Sequence, residues 1–330
     1  MLARIRAVSA AALEQGALQP IETRYTVIPP RKAHEPAFVL RVLTNVARKQ
    51  AESKKQARAK QSANEKAWNP FLPYDPAMYV QDVGDDHVLL LNKFNVVQNH
   101  ALIVTKRFEE QNSLLTCSDM TALWICLGEM RGIAFYNAGK TAGASQRHKH
   151  LQIVPAPMVP HSDEDTPFEH AILKQVAHGT TYSSSALPYL HAIIRMDDCA
   201  KMASEGDLQG AARVCMQRYL QLLKTLEQGV QEAGEEQRGE EDEATSEEAL
   251  GAESRQPFSY NVLVSRRWMM LIPRRKECFQ DVSVNSMGFV GCLLVRDEAS
   301  AQQVRNQGAM GVLSAVAVRA PARPPIESTA

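Results

Sequence analysis

Two short apolar runs and one alternating run limit the architectures open to this sequence. "HVLLLNKF" (87–94) and "ALIVTK" (101–106) are separated by a polar stretch, the pattern of adjacent antiparallel strands. "HKHLQIV" (148–154) alternates, placing Lys149, Leu151 and Ile153 on one face and His148, His150 and Gln152 on the other. Two imidazoles and an amide therefore point the same way. Between these runs Thr116 and Asp119 have the spacing of a capping box, and Met120, Leu123, Trp124 and Leu127 recur at helical intervals. The second half follows a similar order, in which "YLHAIIRM" (189–196) reads as a strand, 207–230 as an amphipathic helix, and "YNVLVSRR" with "WMMLIPR" (268–274) as a hairpin. The pattern predicts an α+β chain of two similar halves, each an antiparallel sheet with packed helices, although no residue-level repeat is visible.

At 330 residues with 45% hydrophobic content, the chain is long enough to bury a substantial core. Its six cysteines contain no C-x-x-C pair, which argues against a zinc knuckle or a disulfide framework and for reduced thiols in the cytoplasm. The longest apolar stretches, Val88 to Leu91 and Gly288 to Val295, fall far short of the ~20 residues of a membrane helix. "MLARIRAVSAAALEQGAL" has the spacing of an amphipathic helix, with a faint likeness to a transit peptide that leaves organelle targeting open. Net charge is zero, yet the stretch from Glu232 to Glu253 is strongly acidic with Arg238 as its one base. Such a composition predicts a disordered insert on an otherwise basic body, which suits the handling of phosphates and, as the commoner explanation of modest positive charge, solubility.

The triplet His148, His150 and Gln152 admits three readings. One is a solvated edge strand. A metal site needs a further ligand, with His100, His161 or His191 as candidates, and neither a cysteine pair nor an H-E-x-x-H element is present. A nucleophile needs a neutral imidazole in a fixed tautomer and nearby N–H groups to receive anionic oxygens. Gly143 and Ser145 offer backbone amides, and Gln152 donates without adding charge.

The segments "NPFLPYDPAMYV" (69–80), "HVLLLNKFNVVQNHALIVTKRFEEQ" (87–111), "FYNAGKTAGASQRHKHLQIVP" (135–155) and "YNVLVSRRWMMLIPR" (260–274) carry a more specific signal. With them the chain resembles the ATP adenylyltransferases, or diadenosine tetraphosphate phosphorylases. These belong to the histidine-triad superfamily, in the branch of the galactose-1-phosphate uridylyltransferases. The resemblance implies a HIT-like, GalT-like fold with a catalytic half over 1–185, a second half over 186–320 holding the acidic insert at about 232–256, and a tail over 321–330.

It also implies a two-step transfer. His150 attacks the α-phosphorus of diadenosine tetraphosphate and expels ATP; phosphate then takes the adenylyl group as ADP, and the reverse reaction builds the tetraphosphate. Gln152 is assigned to the α-phosphoryl oxygens and His148 to orienting the strand and contacting phosphate. Asn92 and Lys93 are placed at a nucleotide-contacting strand end, and Asn137 with Gly143, Ala144, Ser145 and Gln146 around the phosphates. Lys49 reaches in from the N-terminal segment, and Ser265, Met270 and Arg274 are substrate contacts.

Plainer readings stand beside these. Lys49 lies in a solvated run where Lys54 or Lys55 is an equal counterpart, Asn92 caps a strand, Asn137 ends a helix, and Met270 is core. Arg147 stands where the family leads one to expect proline. The expected partners are diadenosine tetraphosphate, ATP, ADP and phosphate, with magnesium arriving on the polyphosphate, no zinc, no nucleic acid and no membrane. The oligomeric state is left open. A hydrolase using water and a nucleotide sensor without turnover are the alternatives; glutamine in place of a third histidine argues against the hydrolase.

Overall fold

Apolar periodicity turns each element toward one large sheet in the computed structural model, which describes residues 1–32, 35–44, 69–160, 162–174, 179–233 and 256–320. The chain opens with helix α1 (Leu2–Glu14) and strands β1 (Thr23–Ile28) and β2 (Phe38–Leu43). Strands β3 (Tyr79–Val83), β4 (His87–Leu91) and β5 (Ala101–Thr105) lead to helix α2 (Cys117–Glu129), then β6 (Gly132–Ala138) and β7 (His150–Pro155). Next come α3 (Glu169–Leu173), β8 (Ala192–Arg195), α4 (Asp197–Ser204), α5 (Leu208–Glu232) and the hairpin β9 (Tyr260–Val264) and β10 (Trp268–Pro273). A short pair, β11 (Cys278–Phe279) and β12 (Val282–Ser283), precedes β13 (Cys292–Val295), α6 (Glu298–Gln307) and α7 (Ala309–Val316).

The α+β class and the antiparallel sheet are as the sequence implied, and the strands of both halves join edge to edge. Eight strands run in the order β3-β4-β5-β7-β6-β9-β10-β8, with β6 pairing β9 from Ala134↔Val264 to Ala138↔Tyr260. A smaller sheet, β1-β2-β13, includes one parallel pair.

Side-chain alternation sends the two faces of the large sheet into different cores. Leu89, Ile103, Leu151, Ala134, Val262 and Leu271 pack under α1, α2, α4 and α5. The long α5 joins this core through Ala211, Cys215, Tyr219, Leu222, Leu226 and Val230, at intervals of three and four. On the opposite face Phe135, Leu263 and Met270 meet β2, β13, α6 and α7. Farther along that face Val88, Leu90, Leu102 and Val104 pack with Phe71. His150 and Gln152 stand between these two apolar groups, because β7 lies between β5 and β6.

Helix α2 starts where the capping box places it: Thr116 accepts from the Asp119 amide and the Asp119 carboxylate accepts from the Thr116 amide. The N-terminal stretch is helical, as its spacing predicts. Asn137 does not end a helix; it lies inside β6, whose seven residues are all buried and so lack the alternation that reveals a half-exposed strand. Lys49, Lys54, Lys55, His161, the acidic insert between 234 and 255, and the tail over 321–330 lie outside the described residues.

Candidate active site

Period-2 geometry brings a polar stripe to the middle of an apolar face. Opposed residues of antiparallel strands share a face, so Gln152, opposite Leu102 and Phe135, points to the same side as His150, opposite Val104. Asn92 and His100 continue the same parity beyond the ends of β4 and β5, and the Asn92 amide donates to the His100 carbonyl at 3.0 Å.

His150 is 4% exposed, and its Nδ1–H donates to the His148 backbone carbonyl at 2.8 Å. That bond fixes the tautomer: the lone pair sits on Nε2, which makes no hydrogen bond with any described residue. Burial is the main influence on this ring and lowers its pKa to about 4, against the carbonyl hydrogen bond, which works in the other direction. The imidazole is therefore neutral at physiological pH. Phe71 packs at 5.3 Å from it, covering one side.

His148 has both ring nitrogens engaged. Its Nε2 lies 2.8 Å from the Thr105 carbonyl and 3.1 Å from the Arg107 carbonyl, and Nδ1 accepts from the Asn69 amide at 3.0 Å. These bonds tie the ring to Thr105, Arg107 and Asn69 and leave no nitrogen for a phosphate oxygen. Gln152 is half-buried, with its Oε1 3.0 Å from His100 Nε2.

The Gln111 side chain stands in for a rung of the sheet. Where β6 and β7 part, its Oε1 accepts from the His150 amide at 2.8 Å, and its Nε2 donates to the Asn137 carbonyl at 3.0 Å and the His150 carbonyl at 3.2 Å. Its backbone amide donates to the Arg147 carbonyl at 2.7 Å, so one residue holds both the His150 backbone and the loop before it. Replacing it with leucine keeps the bulk and orphans buried amide groups, each worth about 1–3 kcal/mol. Gln111→Leu is expected to lower unfolding stability by at least about 2 kcal/mol and to reduce kcat more than it raises KM, as read by urea titration and steady-state kinetics.

The loop 139–146 is anchored from the second half. Arg274, fully buried, donates to Asn261 Oδ1 at 2.7 Å and to the Ala142 carbonyl at 3.3 Å. Asn261 Nδ2 bridges Asn137 Oδ1 at 2.9 Å and the same Ala142 carbonyl at 2.8 Å, and Ser286 Oγ completes Asn137 Oδ1 at 2.7 Å. Gly143 turns the loop at φ +88°, where a Cβ would meet Asn285 and the Val284 carbonyl at 3.0–3.1 Å. The amides of Gly143 and Ala144 close this turn onto the Lys140 and Gly139 carbonyls, at 2.8 and 3.1 Å. Those of Ser145 and Gln146 have no acceptor among the described residues. Of the four loop positions, Ser145 and Gln146 keep amides available to an anion, while Gly143 and Ala144 shape the loop.

Several sequence expectations are corrected by this geometry. Ser265 is fully buried, its Oγ accepting from the Arg267 and Trp268 amides at the β9–β10 turn. Met270 lies in the core opposite Leu263, and Arg274 and Asn137 are likewise buried. None of these four presents a free group to a ligand; they support the surface that does. Asn92 contacts His100 and the Phe94 amide, while Lys93 is exposed, its Nζ 6.0 Å from the Phe94 ring. Arg147 pairs with Glu110 and lies over Phe108, which directs its charge to a neighbouring side chain. Among the described residues no three His, Cys, Asp or Glu side chains are grouped to hold a metal, and no helix is long and apolar enough to cross a membrane.

Gln111, Asn69 and Phe71 lie in segments that carry the family resemblance, but no period or spacing gives them a role in a single sequence. His100 was legible, since parity from Leu102 aims it at Gln152's face.

Residues 1–174 match the Ap4A phosphorylase N-terminal domain, and residues 185–319 match the ATP adenylyltransferase C-terminal domain. The chain belongs to the Ap4A phosphorylase family. Diadenosine 5',5'''-P1,P4-tetraphosphate phosphorylase 2 of Saccharomyces cerevisiae is 28% identical over 262 residues, 72% of each chain. The yeast protein APA1 is 25% identical over 225 residues, 64% of this chain and 61% of its own. Among solved structures, yeast Ap4A phosphorylase Apa2 in complex with AMP superposes with a TM-score of 0.70 over 97% of both chains, at 22% identity. The same enzyme in complex with Ap4A gives 0.69. At that identity the likeness is one of fold, and it extends through both halves of this member of the family.

Proposed function

We propose that the protein is an adenylyltransferase that phosphorolyses diadenosine tetraphosphate (Ap4A) to ADP and ATP, reversibly, through an adenylyl group carried on His150. The observation that carries the reading is a neutral, tautomer-locked imidazole whose Nε2 has no hydrogen-bond partner among the described residues. It stands beside the Gln152 amide on a chain that belongs to the Ap4A phosphorylase family.

In the first step the Nε2 lone pair attacks the α-phosphorus, the bond to the bridging oxygen breaks, and ATP leaves with that oxygen. The ring gains positive charge as the P–N bond forms, and the Nδ1–H···O=C bond to His148 strengthens with it. A phosphate oxygen then attacks the same phosphorus from the vacated side, the P–N bond breaks, and ADP leaves. Gln152 Nε2 and the Ser145 and Gln146 amides supply neutral donors for the anionic oxygens. A divalent cation such as magnesium, bound with the polyphosphate, would offset part of its charge; no three His, Cys, Asp or Glu side chains among the described residues are grouped to hold it. The six cysteines are free thiols, which supports a reducing compartment such as the cytoplasm.

Incubation with diadenosine tetraphosphate, with and without phosphate, tests the reading. ADP and ATP appearing only with phosphate support it. AMP formed without phosphate would make the protein a hydrolase, and no product at all would leave a sensor.

A further inference from the structure

We propose that Asn92 and His100 are positioning residues that decide which end of the Gln152 amide faces the reacting phosphoryl group. The inference rests on the adenylyl-transfer reading of this site and assigns polarity within it. A carboxamide has two ends of nearly equal size and opposite character, one donating and one accepting. Presented the wrong way, Gln152 would place a carbonyl dipole against anionic oxygens and oppose the reaction it is meant to assist.

A chain of hydrogen bonds removes that ambiguity. It begins at the backbone: the Phe94 amide donates to Asn92 Oδ1 at 3.3 Å, so the Asn92 NH2 is the end turned toward His100. That NH2 lies 3.1 Å from His100 Nδ1, which must accept. A neutral ring accepting at Nδ1 carries its proton on Nε2. Nε2–H then donates to Gln152 Oε1 at 3.0 Å, which leaves the Gln152 NH2 pointing away from His100, with no partner among the described residues.

Backbone bonds and a ring contact hold Asn92 and His100 in place. The Asn92 amide bonds the His100 carbonyl at 3.0 Å, the His100 amide bonds the Val97 carbonyl at 3.3 Å, and the ring lies 5.8 Å from Phe135. Burial keeps the His100 pKa near 4, so the ring stays neutral and the direction of the chain is preserved at working pH.

Asn92→Asp tests this with almost no change of shape. The carboxylate still accepts from the Phe94 amide but cannot donate to Nδ1; it also raises the ring's pKa, so the assay is run above that pKa, where the single His100 proton sits on Nδ1. The bare Nε2 then draws the Gln152 NH2 toward itself and turns Oε1 to the phosphoryl group. Losing and inverting one such donor costs roughly 100-fold in kcat or more, whereas Asn92→Ala, which leaves Nδ1 open to water, costs less than roughly 10-fold.

Two readouts separate this effect from charge or misfolding. Nitrogen-15 NMR of the His100 ring should show the Nε2–H tautomer in the unmodified protein and Nδ1–H in Asn92→Asp. In a Gln152→Ala background, Asn92→Asp should cost less than roughly threefold, since the amide it acts through is gone. An equal loss in both backgrounds, or an Nδ1–H tautomer in the unmodified protein, would overturn the relay. Phosphate-dependent turnover by the unmodified protein tests the underlying reading separately.

Discussion

His150→Ala should abolish phosphate-dependent turnover, by roughly 10⁴-fold or more, while the protein stays folded. Among the described residues the ring makes one hydrogen bond, to the His148 carbonyl, so its loss disturbs little there beyond the contact with Phe71. Circular dichroism and a urea midpoint within a few tenths of a molar of the unmodified protein's, set beside lost product, would fit this. Retained turnover would move the nucleophile elsewhere. The same geometry sets a pH dependence. Because the His150 pKa is lowered to about 4, the lone pair remains free as pH falls through the ordinary histidine value of 6.5. The acid limb of kcat/KM assigned to this ring should therefore lie near pH 4, as a profile in constant ionic strength would show.

Asp119→Ala is expected to carry the largest stability cost, about 3–5 kcal/mol. Asp119 is 1% exposed; one oxygen lies 2.8 Å from His87 Nε2, and the other takes Lys149 Nζ and the Thr116 amide, both at 2.7 Å. Lys149 is fully buried, between His148 and His150 in sequence and on the opposite face of the strand, so this network fastens the strand that bears His150 to the N-terminus of α2. Without the carboxylate, the ammonium keeps Glu109 at 3.0 Å and the Leu114 carbonyl but loses its buried counter-charge.

Burial alone would raise the Asp119 pKa, but the hydrogen bond from His87 and the charge of Lys149 reverse this and lower it to about 2 from 3.8. A carboxylate with a depressed folded pKa contributes stability above its unfolded pKa and loses it as pH falls through the folded one. The contribution should thus fade between about pH 4 and about pH 2. Urea titrations of both proteins across that range should converge as pH drops. A constant gap would contradict the assignment.

Much of this site was legible in the sequence, because period-2 alternation is a direct geometric statement. Gln152 and His150 share a face as the alternation requires, with the His148 and His150 rings both against Phe71, and Thr116 with Asp119 caps a helix where the spacing places it. What escaped depends on nonlocal pairing. β6 shows no alternation because both its faces are buried, and only the register with β9 shows that the two halves form one sheet. The same pairing sets Asn137 opposite Asn261, which the Arg274 side chain reaches from just beyond β10, so polar residues from the second half brace the loop at Ala142. Gln111 was invisible for a related reason: it acts on the backbone of another strand, and no local pattern encodes that contact.

The most direct measurement is the adduct itself. Incubating the protein with diadenosine tetraphosphate in the absence of phosphate, then digesting it and sequencing the peptides by mass spectrometry, should reveal one acid-labile adenylyl group on the imidazole of His150. Adding phosphate before digestion should remove that group and release ADP in equal amount. Phosphate-dependent ADP and ATP with no adduct, or with the adenylyl group on another residue, would contradict the account.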